Sequence, residues 1–91
     1  MADLEQSPEP IEYPSLYIFR VVALYDPTLR ERMRLIVQSI VGPIPDDALS
    51  ERASAHGKYR AIHVTCLLQS EEQRIAVYEK LREDPAVKLR L

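Results

Sequence analysis

The chain has 91 residues and a net charge of −2, and 46% of its residues are hydrophobic, as in one small globular domain. No apolar run approaches the roughly 20 residues of a membrane span, and the N-terminus lacks the basic start and apolar core of a signal peptide. Cys66 is the only cysteine, so no internal disulfide can form. We therefore expect a cytoplasmic protein that does not bind membranes.

The charges are unevenly distributed along the chain. Residues 1–14 carry four acidic residues and no basic one, so residues 15–91 hold the other ten acidic and all twelve basic residues, a net charge of +2. Such a weak positive charge argues against DNA binding. The Pro, Glu and Ser content of residues 1–14 predicts a disordered tail, although an acidic tail could also cover a basic face of the domain.

The first half of the chain predicts a strand, a helix and an edge strand. Residues 15–25 are rich in aromatic and β-branched residues, which favours a strand. Asp26 and Pro27 predict a helix start, with the Asp side chain as the cap. The apolar stripe of this helix ends at Gly42 and comprises Leu29, Met33, Ile36, Val37, Ile40 and Val41. The polar residues 48–54 predict a short edge strand.

The second half predicts a central strand, a helix and a last strand. After a turn, residues 58–68 form a second β-branched run. Ser70 followed by Gln73 is a capping-box pattern that predicts the start of the second helix. The predicted apolar stripe of this helix is thinner and comprises Ile75, Tyr78 and either Leu81 or Arg82. Residues 86–91 then alternate between apolar and basic side chains, as expected of a strand.

The element order β-α-β-β-α-β predicts an α+β fold, a ferredoxin-like sandwich over residues 15–91. In this arrangement two helices cover one face of a four-stranded antiparallel sheet, and the first and third strands lie in the middle. The other face of the sheet is left open. Because a bare, partly apolar sheet face is unusual, we expect something to cover it.

Alternation along each strand predicts which side chains lie on the open face. In the first strand Tyr17 and Phe19 are assigned to the helices, because the other set contains Arg20, which is costly to bury unpaired. In the third strand the more apolar set, which includes Cys66, is assigned to the helices. The last strand is expected to turn Leu89 inward. The candidate partner-binding residues on the open face are Arg20, Arg52, Tyr59, His63, Lys88 and Arg90.

These residues favour a small regulatory or adaptor domain that binds a partner protein, or a second copy of itself, through the open face. Weak RNA binding is an alternative, because residues 16–18 and 57–59 resemble the base-stacking strands of RNA-recognition domains. That alternative is weakened because only Tyr59 is expected to present an aromatic ring on the open face.

No pattern of residues supports catalysis. His56, His63 and Cys66 lack a metal-site spacing, and Cys66 is assigned to the core rather than to an exposed, activated position. With two glycines, the chain has no glycine-rich phosphate loop. We therefore expect no enzyme activity, no cofactor and no metal.

Several short motifs resemble the YbeD-like family of small bacterial proteins, which is catalogued as uncharacterised. They are Glu12-Tyr13-Pro14, Phe19-Arg20-Val21, Gly57-Lys58-Tyr59 and the alternating C-terminal strand. The resemblance covers residues 12–91 and implies a ferredoxin-like fold similar to ACT regulatory domains. It carries no catalytic residues.

The ACT likeness implies a candidate small-effector loop at the first strand–helix junction. The residues at this position are Tyr25, Asp26 and Thr28. ACT domains usually have an Asp-x-Pro-Gly type of loop there, and this chain has Asp26-Pro27-Thr28-Leu29, without the glycine.

Overall fold

A computed structural model describes residues 11–90 of the chain. The elements are β1 (Ser15–Leu24), α1 (Leu29–Val41), a 3₁₀ turn (Asp46–Ala48), β2 (Leu49–Ala53), β3 (Tyr59–Leu68), α2 (Glu71–Glu83) and β4 (Val87–Arg90). The four strands form one sheet in the order β2-β3-β1-β4. The predicted ferredoxin-like α+β fold is confirmed.

The predicted N-terminal tail lies mostly outside the described residues, which begin at Ile11. Of the four tail residues that are described, Tyr13 packs against the hydrophobic core. Its hydroxyl donates a hydrogen bond to Oε1 of Glu71 over 2.5 Å. This contact holds the entry to β1 against the beginning of α2.

The two central strands pair antiparallel over their whole length, from Ser15 opposite Leu68 to Leu24 opposite Tyr59. One face of this pair is buried beneath the helices. Its fully or nearly fully buried residues are Phe19, Val21, Ala23, Ile62, Val64, Cys66 and Leu68. The predicted inward sets of both strands are therefore confirmed, and the same alternation places the other set on the open face.

Each helix buries one stripe on the sheet. Leu29, Met33 and Val37 of α1 are fully buried, as the spacing predicted. In α2 the buried residues are Val77 and Leu81, whereas Ile75, which the pattern placed in the apolar stripe, is 46% exposed. The prediction for Ile75 was wrong because it stands about 200° around the helix from Val77.

The helix ends agree with the sequence except at the start of α1. Ser70 accepts a hydrogen bond from the Gln73 amide at 3.2 Å, as the capping box predicted, and Gly42 ends α1 with a φ of 97°. Asp26 does not cap the helix, which begins at Leu29 after Thr28. Its Oδ1 instead accepts from the amide and hydroxyl of Thr28, at 2.8 and 2.6 Å, and so stabilises the preceding turn.

A register shift in β4 reverses the predicted faces of Leu89 and Arg90, whereas Val87 packs against the core. Arg90 is opposite Val21 and Leu89 is opposite Val22, but Val87 is opposite Ala23, so Lys88 is an extra residue. Such a bulge interrupts the alternation of side chains. Arg90 consequently lies on the helix-covered face, and Leu89 lies on the open face. The placement of Arg90 on the open face was wrong, and Lys88, as the extra residue of the bulge, has no partner on β1 that assigns it to a face.

Candidate functional site

The open face of the sheet is built in rows of residues that lie opposite one another on neighbouring strands. A central row contains Arg20 and His63, and Ser50 of β2 lies beyond His63. The next row contains Arg52, Ala61 and Val22, with Leu89 at its end. The strand pairing thus brings Arg20, Arg52 and His63 together, as the sequence predicted, because alternate residues share a face.

The charge on this face has one sign. Glu51 is the only acidic residue in the four strands, and it is opposite Ile62, so it belongs to the helix-covered side. There it forms ion pairs with Arg30 and Arg60. The alternation of the strands therefore places Arg20 and Arg52 on the open face and assigns Glu51 to the other side, although Glu51 also borders a depression of about 480 Å³ beside Arg52 and His63.

Large apolar side chains surround the arginines. Leu16 is 74% exposed, Leu67 opposite it is 47% exposed, and Leu89 at the other end is 49% exposed. Isolated exposed leucines are ordinary, but several exposed leucines on one sheet face are typical of interaction sites. Leu16 lies an even number of residues from Arg20, so the alternation along β1 places it on the open face from the sequence alone. Leu89 could not be placed in this way, because the bulge changes the alternation in β4.

The apolar end of the face continues into a groove. Leu67 and Thr65 line a depression of about 340 Å³ together with Pro43, Pro45 and Ala48 from the segment that precedes β2. β2 pairs only with the first part of β3, from Arg60 to Val64. The end of β3 is thus bordered by a proline-containing segment instead of a strand, and this leaves room for an apolar side chain of a partner.

Aromatic rings are concentrated on the opposite side of the sheet. The centroids of Tyr17 and Phe19 are 4.8 Å apart, and Tyr78 of α2 lies edge-on to Phe19 with a centroid distance of 5.0 Å. On the open face Tyr59 lies opposite Leu24 at one end and is half-buried. The face therefore offers one ring, not the row of rings on which single-stranded RNA stacks.

The candidate effector loop is occupied by contacts within the chain. The guanidinium of Arg60 lies 4.0 Å from the ring centroid of Tyr25. The carboxylate of Asp26 accepts from Thr28 and from Arg32, at 2.8 and 2.9 Å in the latter case. These hydrogen bonds, first from Thr28 and then from Arg32, lower the pKa of Asp26 to about 2. The groups that could bind an effector thus already bind one another.

Few side chains in the described part of the chain are candidates for a reactive nucleophile or a metal ligand. Burial raises the pKa of the Cys66 thiol to about 11, which favours the unreactive thiol form. Within residues 11–90, no three His, Cys, Asp or Glu side chains are grouped so that they could hold a metal ion. No helix in this range combines the length and apolar character needed to cross a membrane.

Comparison with known families matches residues 8–91 to DUF493, described as a protein of unknown function. The chain belongs to the DUF493 family. This confirms the resemblance to YbeD-like proteins. Two similar relatives, each called a UPF0250 protein, come from Leptothrix cholodnii, with 29% identity over 98% of both chains, and Shewanella piezotolerans, with 33% identity over 88% of this chain and 89% of the relative.

A solved structure supports the fold of this DUF493 chain. The solution structure of protein HP0495 from H. pylori matches with a TM-score of 0.75 and covers 100% of this chain and 96% of that one. The sequence identity is 18%, so the likeness concerns the fold alone. The open face of this DUF493 domain is the surface whose chemistry indicates a function.

Proposed function

We propose that this domain is a non-catalytic adaptor or regulatory module that binds an acidic, partly apolar segment of a partner protein through its open face. The observation that carries the proposal is the composition of that face. Exposed leucines lie on the same face as Arg20 and Arg52, and the one carboxylate of the four strands, that of Glu51, pairs with Arg30 and Arg60. The same proposal places the protein in the cytoplasm, which suits its single, buried thiol.

The apolar residues would supply most of the binding free energy. Leu16, Leu67 and the adjoining groove can receive apolar side chains, whose burial contributes about 25 cal/mol per Å². Arginines at the centre of an interface add orientation and discriminate against wrong partners, because an unpaired buried charge is costly. The occupant that satisfies both features has leucine-like anchors next to aspartate or glutamate.

Charge also distinguishes an acidic partner from a second copy of this chain. In a symmetric face-to-face dimer, a two-fold axis through the middle of the face would bring Arg20 and Arg52 close to the same residues of the other copy. Like charges brought together in an interface are destabilising. An acidic segment meets the same surface without that repulsion, so we favour it over self-association.

The test is affinity capture from a lysate of the source organism, with and without RNase, followed by titration with the purified partner. The variant Arg20→Glu/Arg52→Glu reverses the charge of the open face. The matched control, Arg82→Glu/Lys88→Glu, changes the same number of charges next to α2. We expect one partner to resist RNase, to bind through an acidic segment, and to bind the open-face variant at least about a hundredfold more weakly than the control, which is about 2.7 kcal/mol.

Three results would overturn this proposal. Equal binding by both charge-reversal variants would show that the open face is not the binding surface. Loss of all captured material with RNase would favour RNA binding. A concentration-dependent dimer in sedimentation, abolished by Leu16→Ser, would assign the face to a second copy instead.

A further inference from the structure

A depression of about 480 Å³ lies where α2 borders the edge strand β4. Lys88 and Arg90 of β4 line it, together with Arg74 and Arg82 of α2. The bulge in β4 explains this arrangement, because it places Arg90 on the helix-covered side of the sheet. Lys88 and Arg90, which the sequence pattern assigned to the open face, thus lie beside Arg74 and Arg82 around this depression.

Three of the four cations of this depression differ from most arginines among the described residues, because only Arg74 has a carboxylate partner. Five arginines pair with a carboxylate within 4.0 Å, namely Arg30, Arg32, Arg34, Arg60 and Arg74. No carboxylate in residues 11–90 is within that distance of Arg82, Lys88 or Arg90. Glu79 is the one acidic side chain among the described residues that line the depression. At least two positive charges therefore remain there without compensation.

Three unpaired cations around one depression repel one another, and a bound anion would remove that repulsion. The depression lies within the range of roughly 300–1,000 Å³ that is typical of small-molecule sites. The side chain of Ile75, which is 46% exposed, adds an apolar surface to the same wall. The site thus combines positive charge with an apolar patch.

We infer that the depression between α2 and β4 binds a small organic anion through Arg82, Lys88 and Arg90. The anionic group is a carboxylate or a phosphate, and the apolar part of the ligand lies against Ile75. The site borders the open face at Leu89, but its cations lie beside α2 and Arg90 lies opposite the buried Val21, so it does not include Arg20 or Arg52. It therefore gives the domain a place for a small effector other than the junction at Asp26.

The test is an NMR titration of the ¹⁵N-labelled full chain with two probes, inorganic phosphate and succinate, at constant ionic strength. We expect saturable shifts centred on the amides of Arg82, Lys88 and Arg90. A stronger response to one probe identifies the anionic group as phosphate or carboxylate. Arg82→Gln/Lys88→Gln should weaken binding at least about tenfold, whereas the matched open-face variant Arg20→Gln/Arg52→Gln should bind like the wild type.

The inference is overturned if phosphate and succinate bind at exposed cations in general and not at the depression between α2 and β4. Shifts that do not saturate, or that follow every exposed cation, would mean general charge screening. Equal affinity of the two double variants would have the same meaning. Because Lys88 and Arg82 are exposed, both variants should fold, and dispersed amide spectra verify this before titration.

Discussion

Arg32 in α1 donates a hydrogen bond from Nε to Oδ2 of Asp84 across 3.0 Å, which joins the first helix to the turn that follows the second helix. The same guanidinium donates to Asp26, at the end of β1. Asp84 also accepts from the Ala86 amide at 2.9 Å, which orders the entry to β4. One arginine therefore connects the turn before α1 with the turn after α2, which is 52 residues away in the sequence from Arg32.

Replacing Arg32 should lower the stability of the domain. Asp84 is only 11% exposed in its side chain, so Arg32→Gln leaves a largely buried carboxylate with one partner fewer. We expect a loss of about 1–2 kcal/mol in the free energy of unfolding, measured by urea denaturation. Arg30→Gln is the control, because its carboxylate partners are 3.4 and 3.5 Å away. Equal losses in both variants would refute the special role of Arg32.

Stability should fall in acid between about pH 4 and pH 2. Hydrogen bonds from Thr28 and Arg32 lower the pKa of Asp26 from 3.8 to about 2, and those from Arg74 and Tyr13 lower the pKa of Glu71 from 4.5 to about 2. Both carboxyls bind protons more weakly in the folded than in the unfolded chain. Their contribution to the free energy of unfolding is therefore complete above the pKa values that the two carboxyls have in the unfolded chain. It is lost as the pH falls through the pKa values that they have in the folded domain.

Substitution of Asp26 and Glu71 tests whether these two carboxyls cause the loss of stability in acid. Asp26→Asn/Glu71→Gln should be less stable than the wild type at pH 5 and should lose less stability between pH 5 and pH 2.5. Asp47→Asn serves as the control, since Asp47 forms no ion pair within the described residues. Urea denaturation at several pH values measures this, and curves that stay parallel for all three proteins would contradict the assignment.

Two neighbouring leucines of β3 test the assignment of faces. Leu68 is fully buried, whereas Leu67 is 47% exposed. Leu68→Ala should cost about 2–5 kcal/mol, because it removes buried methyl groups and leaves a cavity. Leu67→Ala should cost about 0.5 kcal/mol or less. Chemical denaturation gives both values, and a reversed order would mean that the register of β3 is shifted by one residue.

The Cys66 thiol should react slowly with a disulfide reagent while the domain is folded. With a pKa of about 11, about one thiol in a thousand is ionised at pH 8, compared with about a quarter for an ordinary cysteine. Cys66 is also only 6% exposed. Labelling followed at 412 nm should therefore accelerate by about a hundredfold or more in 8 M urea. Rapid labelling of the native protein would show that this part of β3 opens readily.

Local patterns predicted most of the fold, because they act over a few residues. The inward set of β1 follows from the cost of burying Arg20, and the starting point of α2 follows from Ser70 and Gln73. Gly42 ends α1 with a positive φ that favours glycine. None of these inferences required knowledge of a distant contact.

The start of α1 and the packing face of α2 depended on contacts between elements. Asp26 has the residue type of a cap, but Thr28 and Arg32 engage its carboxylate, so it stabilises a turn instead. In α2 Val77 is fully buried and Tyr78 packs against Phe19, whereas Ile75 is 46% exposed. The helix propensities of the residues cannot predict where α1 starts or which face of α2 is buried, because both depend on contacts with neighbouring elements.

The sequence by itself determined the element order, the buried faces of β1 and β3, and the membership of Arg20, Arg52 and His63 in one surface. Only the tertiary structure decided where Lys88, Leu89 and Arg90 lie. The physical reason is the bulge opposite Ala23, where one extra residue changes the parity of β4. Such a bulge arises from pairing with β1, and the alternating pattern of β4 does not reveal it.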